Sequence, residues 1–403
     1  MQTHRNSDSR IDISSLRPRA SGLRPILPAL VGVIGLVAAV LLGVSDARQF
    51  WHSYLVAIFY FLTLGLGGVF FVLLQFATRA GWSVVVRRLA EHVMGVLPLL
   101  ALLTVPLAFG VHELYEWSHA QEVAQDPILE HKSSYLNTGF FYVRSAIYLA
   151  TWSLLGWWFR RASLRQDDSA DPAITRKLQS ASAPGLILFA LTLTFASFDW
   201  IMSLTPHWYS TVFGVYIFAG CVLAILAFLI ILALSVRGGD LVPEHVITYE
   251  HLHDLGKLLF GFVVFWVYIG FSQFMLIWYG NLPEETIWYA HRLVPGWYAL
   301  TIFLAVGHFV LPFFFLLPVS VKRRKATLYL AAGWLLAMHY LDLYWIVMPT
   351  LHPEGFNPHL LDLVTFVGIG GFFLAGVSFL MRGAALVPIR DPRLAESLSF
   401  ENM

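Results

Sequence analysis

The stretch HDLGKLLFGFVVFWVYIGFSQFMLIWYGNLPEET, residues His253–Thr286, decides how this chain is read. It opens on His253, Asp254 and Lys257 and closes on Asn281, Glu284 and Glu285. Between them lie about 20 apolar and aromatic residues, broken only by Ser272-Gln273. At 1.5 Å per residue, a run of that length matches the ~30 Å hydrocarbon core of a bilayer. Polar clusters at both ends set this helix against both faces of a membrane.

Composition extends that reading to the whole chain. Of 403 residues, 58% are hydrophobic and 13% charged, and the mean hydropathy is +0.67. A soluble protein carries about 25% charged residues, so the chain reads as all-α and multi-pass in a membrane. A net charge of +1 gives no electrostatic footprint for nucleic acid. The single cysteine, Cys221, excludes an internal disulfide, a Cys-ligated iron–sulfur cluster and a CxxCH haem attachment. Fourteen Trp and 32 Phe supply interfacial belts and surfaces that pack flat, apolar ligands.

Apolar runs predict ten transmembrane helices, over 25–45, 50–78, 84–111, 136–159, 184–204, 209–236, 256–279, 295–320, 326–348 and 360–381. Residues 1–24 are polar, carry five Arg and read as a cytoplasmic tail leading into an uncleaved anchor. Alternate connections divide the basic residues unequally. One side holds five in the N-terminal tail, three in 79–90, five in 160–183, two in 237–257, four in 321–325 and three in the tail 382–403. The other side holds only Arg48, Lys132 and Arg292. By the positive-inside rule both termini are cytoplasmic. On the outer side, 113–134 carries five acids and one Lys, a solvated loop or a docking surface for an extracytoplasmic partner.

An internal repeat organises the ten spans. The fifth ends FDWIMSLTPHW (Phe198–Trp208) and the ninth LDLYWIVMPTLHP (Leu341–Pro353), each with Asp, then Trp-Ile, Met, Pro and His. Duplication of a four-helix unit accounts for this: bundle one, 50–204 (spans 2–5), and bundle two, 209–348 (spans 6–9), with two flanking helices, in a membrane domain of 25–381.

Charges at membrane depth cost about 2.5–3.5 kcal/mol each on insertion scales, which marks them as candidates for function. Arg144 lies roughly eight residues into its span, about 12 Å deep. It is placed either to pair with an acid and hold helices together or to tune a site where Asp199, His112, Glu113 or His207 accepts a proton from a substrate hydroxyl. His339 and Asp342, three apart, share a helix face, and His308 sits near mid-membrane. With Asp362 they suit a proton relay, while the plainer alternative is interhelical hydrogen bonding. A b-type haem between two of these His is weakened by there being one plausible pair. His253, Asp254 and Lys257 are either an ordinary helix start or the mouth of a proton path. No residue set reads as a metal site.

The stretch His253–Thr286 and FDWIMSLTPHWYSTVFGVYIFAG, Phe198–Gly220, together resemble the smaller of the two large membrane subunits of alternative complex III. These subunits (ActF-type) belong to the NrfD-like, polysulfide-reductase superfamily. The resemblance implies a non-autonomous subunit of a bacterial respiratory or photosynthetic quinol:electron-acceptor oxidoreductase in the cytoplasmic membrane. It implies menaquinone or ubiquinone as the possible bound cofactor, with haem and iron–sulfur centres confined to partner chains. Expected partners are a larger NrfD-like membrane subunit, haem c subunits, an iron–sulfur subunit and lipid. Three roles stay open. One is a quinol pocket near the outer face of the first bundle. Another is a proton path from His253/Asp254/Lys257 through His308, His339 and Asp342 towards Asp362. The third is a scaffold that docks the redox subunits. A secondary transporter is more distant, because no pair of helices broken at midplane stands out.

Overall fold

Long apolar runs closed by capping residues fold as helices. The structure, a computed structural model, describes residues 24–238 and 241–402, so almost all of the expected N-terminal tail lies outside the described residues. Ten long elements dominate: α1 (Ile26–Gly43), α2 (Ala47–Ala77), α3 (Val84–Phe109), α4 (Thr138–Ser169) and α5 (Pro172–Trp200), then α6 (Phe213–Val236), α7 (Tyr249–Gly280), α8 (Pro295–Leu316), α9 (Lys325–Val347) and α10 (Leu360–Arg382). Among the described residues there is no β-strand, only isolated bridges.

Local chemistry sets the boundaries. Asp46 accepts from the Gln49 amide at 3.0 Å to open α2, and Asn137 accepts from Phe140 at 2.9 Å to open α4. Asp171 accepts from Ala173 ahead of α5, with Pro172 in the first turn, where its missing N–H costs nothing. α4 stops where Ala170 turns left-handed at φ +55°, and α7 where Asn281 does so at +47°.

Nine of these helices are long and apolar enough to cross a membrane, among the described residues. α4 is the exception, and it covers 138–159 of the expected span 136–159. Arg144 interrupts its apolar run and Arg160-Arg161 follow, which dilutes the hydropathy that length alone would give.

Contacts run around two rings. α2, α3, α4 and α5 each touch the next, and α5 returns to α2; α6, α7, α8 and α9 do the same. α2 and α6 form the seam between the rings. Their most apolar windows are 94% and 78% buried, against 17% in α1 and 28% in α7. The seam is close because Gly67 faces the Cys221 carbonyl, which a Cβ at 67 would approach to 2.3 Å. α1 and α10 pair with each other and lie against α2.

The end carrying both described termini also carries most Lys and Arg, and is called here the basic end. Two expectations change there. The span expected over 84–111 is broken by a turn at Gly95-Val96, just ahead of Pro98. Its first part, Val84–Met94, is wholly buried in protein. Arg87 and Arg88, read from the sequence as loop charges, lie inside it. Arg87 pairs with Asp391 (2.6 Å) and Glu91 (3.2 Å), and Arg88 with Glu91 (2.9 Å) and Asp167 (2.7 Å). The C-terminal segment packs beneath this cluster as a short helix, Leu394–Leu398. Ser397 donates to the Trp82 carbonyl at 2.7 Å, and its own carbonyl meets His251 Nε2 at 2.9 Å.

Candidate functional site

The two aspartates of the matching segments Phe198–Trp208 and Leu341–Pro353 end in opposite circumstances. On α5, Asp199 is fully buried and receives a fork from Arg144: Nε at 2.7 Å and Nη2 at 3.0 Å. Tyr148, one turn after Arg144 on α4, donates its hydroxyl at 2.7 Å. Arg144 also lies over the ring of Tyr135, 3.8 Å from its centre, and donates to the Tyr135 carbonyl at 2.8 Å. Carboxylate and guanidinium are thus fully engaged with one another.

On α9, Asp342 is equally buried but meets only neutral donors. Tyr216 of α6 donates its hydroxyl at 2.5 Å, and Trp266 of α7 donates its indole N–H at 3.2 Å. Among the described residues no Lys or Arg pairs with it. A buried carboxylate facing no cation is a different object from a structural ion pair.

Two imidazoles complete this second centre. His308 stacks on Trp266 with ring centres 3.9 Å apart, and neither ring nitrogen has a hydrogen-bond partner. His339, one turn before Asp342, meets Thr63 Oγ1 of α2 through Nε2 at 2.9 Å, while its Nδ1 is unpartnered. Gly220 leaves room for that ring, since a Cβ there would come 2.9 Å from it. His308 lies in a π-turn, Ala305–Val310. Pro312 withholds the N–H that would close on the His308 carbonyl, and the Trp334 indole donates to the carbonyl of Gly307 at 2.6 Å.

A polar row continues from Asp342 towards the end opposite the basic one. Tyr216 lies over Gly270, one turn before Gln273 on α7. Gln273 accepts from Ser210 at 2.9 Å and donates to the Tyr289 hydroxyl at 3.2 Å. In the other direction the inward face of α7 is apolar, through Val263, Leu259 and Leu255. His253, buried with both ring nitrogens unpartnered, therefore stands about 20 Å along the helix from Trp266. Asp254 and Lys257 form an ion pair there, and Lys257 also donates to Asn402. The path expected from His253/Asp254/Lys257 to His308 is not continuous in side chains.

The remaining candidates fall elsewhere. His112 and Glu113 are exposed, and His112 meets Ser118 at 3.0 Å. His207 contacts Asp126 of the acidic loop at 2.5 Å, not Asp199. Asp126 is held below the usual carboxylate range, chiefly by that hydrogen bond. Asp362 forms its own cluster with Ser53 (2.5 Å), Gln49 (3.2 Å) and the His359 amide (2.8 Å), and Gln49 binds His352 at 2.6 Å. Burial lowers the His352 imidazole. Beside Trp200 a cleft of about 220 Å³ opens between Tyr115, Phe141, Ser145 and Ala146. Asp199 does not line it. No group of three or more His, Cys, Asp or Glu among the described residues could hold a metal ion.

Tyr216, Trp266 and Thr63 escape a sequence search for charged residues, because each reads as part of an apolar run. Tyr148 was within reach, one helical turn from Arg144. No protein-family model matches the chain, and no curated protein matches it.

Proposed function

We propose that this chain is a multi-pass subunit of a quinol-oxidising electron-transfer complex of the alternative complex III kind, and that it conducts protons through its second ring. In this reading ten helices, α4 included, cross the bacterial cytoplasmic membrane with both termini inside. The basic end then faces the cytoplasm, in keeping with the distribution of Lys and Arg. α4 crosses because Asp199 neutralises its one deep charge.

The observation that carries the proton reading is Asp342, buried without a cation beside two imidazoles with free ring nitrogens. Asp342 is the proton carrier. Tyr216 orients its carboxylate and links it towards Gln273, Ser210 and the outer surface. His339 and His308 are the next acceptors inward, since each keeps an imidazole nitrogen without a partner. The apolar wall at Val263, Leu259 and Leu255 separates them from His253, so passage to the cytoplasm requires water or a movement of α7 or α8. The π-turn at His308 is the natural place for that movement.

Asp342→Asn keeps size and one of the two accepted hydrogen bonds but removes the titrating group. Measured in the intact complex in vesicles, it is expected to leave electron transfer running while abolishing proton translocation. Unchanged proton yield per electron would end this reading.

The cleft beside Trp200 favours a second reading, quinol binding at the outer end of the first ring. Ala146→Phe fills that cleft. Loss of quinol oxidation with the complex assembled supports the site, and an unchanged rate removes it. A scaffold role is what remains if neither substitution alters turnover or proton yield.

A further inference from the structure

Where the two rings meet at the basic end, α2, α6 and α7 diverge and leave a cleft of about 400 Å³. Its walls are apolar and aromatic, with Phe70, Phe71, Leu226 and Phe262 among them. Its polar end is built from Gln75, Asp254 and Lys257. Gln75 is only 5% exposed, yet its amide oxygen accepts no hydrogen bond from the described residues. A buried amide oxygen without a donor costs free energy in a folded protein, so a donor from outside the described residues is the missing part. Asp254 and Lys257 set charges of both signs beside it. Gln75 lies two residues from the end of α2 and Asp254 five residues into α7, which is headgroup depth for helices of this length.

We propose that this cleft is a site for one phospholipid with a primary-ammonium headgroup, of the phosphoethanolamine type. The acyl chains lie along Phe70, Phe71 and Phe262. The ammonium donates N–H to the Gln75 amide oxygen and the Asp254 carboxylate, and the phosphate faces the Lys257 ammonium. A choline headgroup carries the same charges but no N–H, so it leaves Gln75 unsatisfied. A headgroup with net negative charge meets Asp254 without compensation. A membrane-soluble diphenol satisfies Gln75 but offers no anion to Lys257.

The test is native mass spectrometry of the intact complex after detergent washing, followed by exchange into vesicles of phosphatidylethanolamine or phosphatidylcholine. The expected result is one phosphatidylethanolamine retained through washing and not replaced by phosphatidylcholine. Gln75→Leu is expected to lower its occupancy about tenfold, the size of one charge-assisted hydrogen bond. Lys257→Gln is expected to lower it as well. Equal retention of the two lipids by the unaltered protein overturns the proposal without recourse to any variant. Undiminished phosphatidylethanolamine in Gln75→Leu, or a quinone recovered in place of phospholipid, overturns it too.

Discussion

Asp199 and Asp342 show how one residue type stands in two environments according to what faces it. Asp199 meets a guanidinium fork, Asp342 a phenol and an indole. The first arrangement predicts a large penalty for half-removal. Arg144→Met strands the Asp199 carboxylate, and breaking a buried pair from one side costs about 3–5 kcal/mol. The thermal midpoint of the complex is expected to fall sharply in Arg144→Met and to recover in large part in the double variant Arg144→Met/Asp199→Leu. Equal loss in both would mean that packing, not charge, ties α4 to α5. The pairing of Arg144 with an acid was legible from its depth. Its partner was not, since helix-to-helix contact leaves no trace in hydropathy.

Two short elements stand apart from the long helices. The widened turn at His308 and the short helix Pro127–Lys132 both depart from the plain apolar helix that sequence pattern favours. That short helix is joined to the chain beyond α5 through Asp126–His207 and through Lys132, which donates to the Pro206 carbonyl at 2.6 Å. Because folding lowers the Asp126 carboxyl from its usual 3.8, its stabilising contribution is complete above that value. It is lost as pH falls through the lower folded value. Hydrogen exchange at the amides of Ile128 and Leu129 is therefore expected to become less protected as pH drops below about 3.8, relative to the intrinsic rate. Asp126→Asn, which keeps a capping side chain, should lack this step; the same step in the variant would count against the latch. Asp126 was read as one acid among several in a stretch that was either a solvated loop or a docking surface, because a salt bridge between distant loops has no local signature.

For the molecule as a whole, helix number and position were mostly legible, since apolar length reports burial away from water whatever the burial is in. The distinction between lipid and protein surroundings was not. α1 and α2 are comparably apolar, at mean hydropathy 2.6 and 2.3, yet one faces outward and the other is the seam. The charges in Val84–Met94 misled for the opposite reason: they read as loop because their partners, Asp167 and Asp391, lie far along the chain. That separation has a consequence in time. Arg87 is translated 304 positions before Asp391. The buried guanidinium can meet that carboxylate only after Asp391 has been made. Until then the first ring holds an unfinished electrostatic joint, and a product cut short before Asp391 carries it permanently.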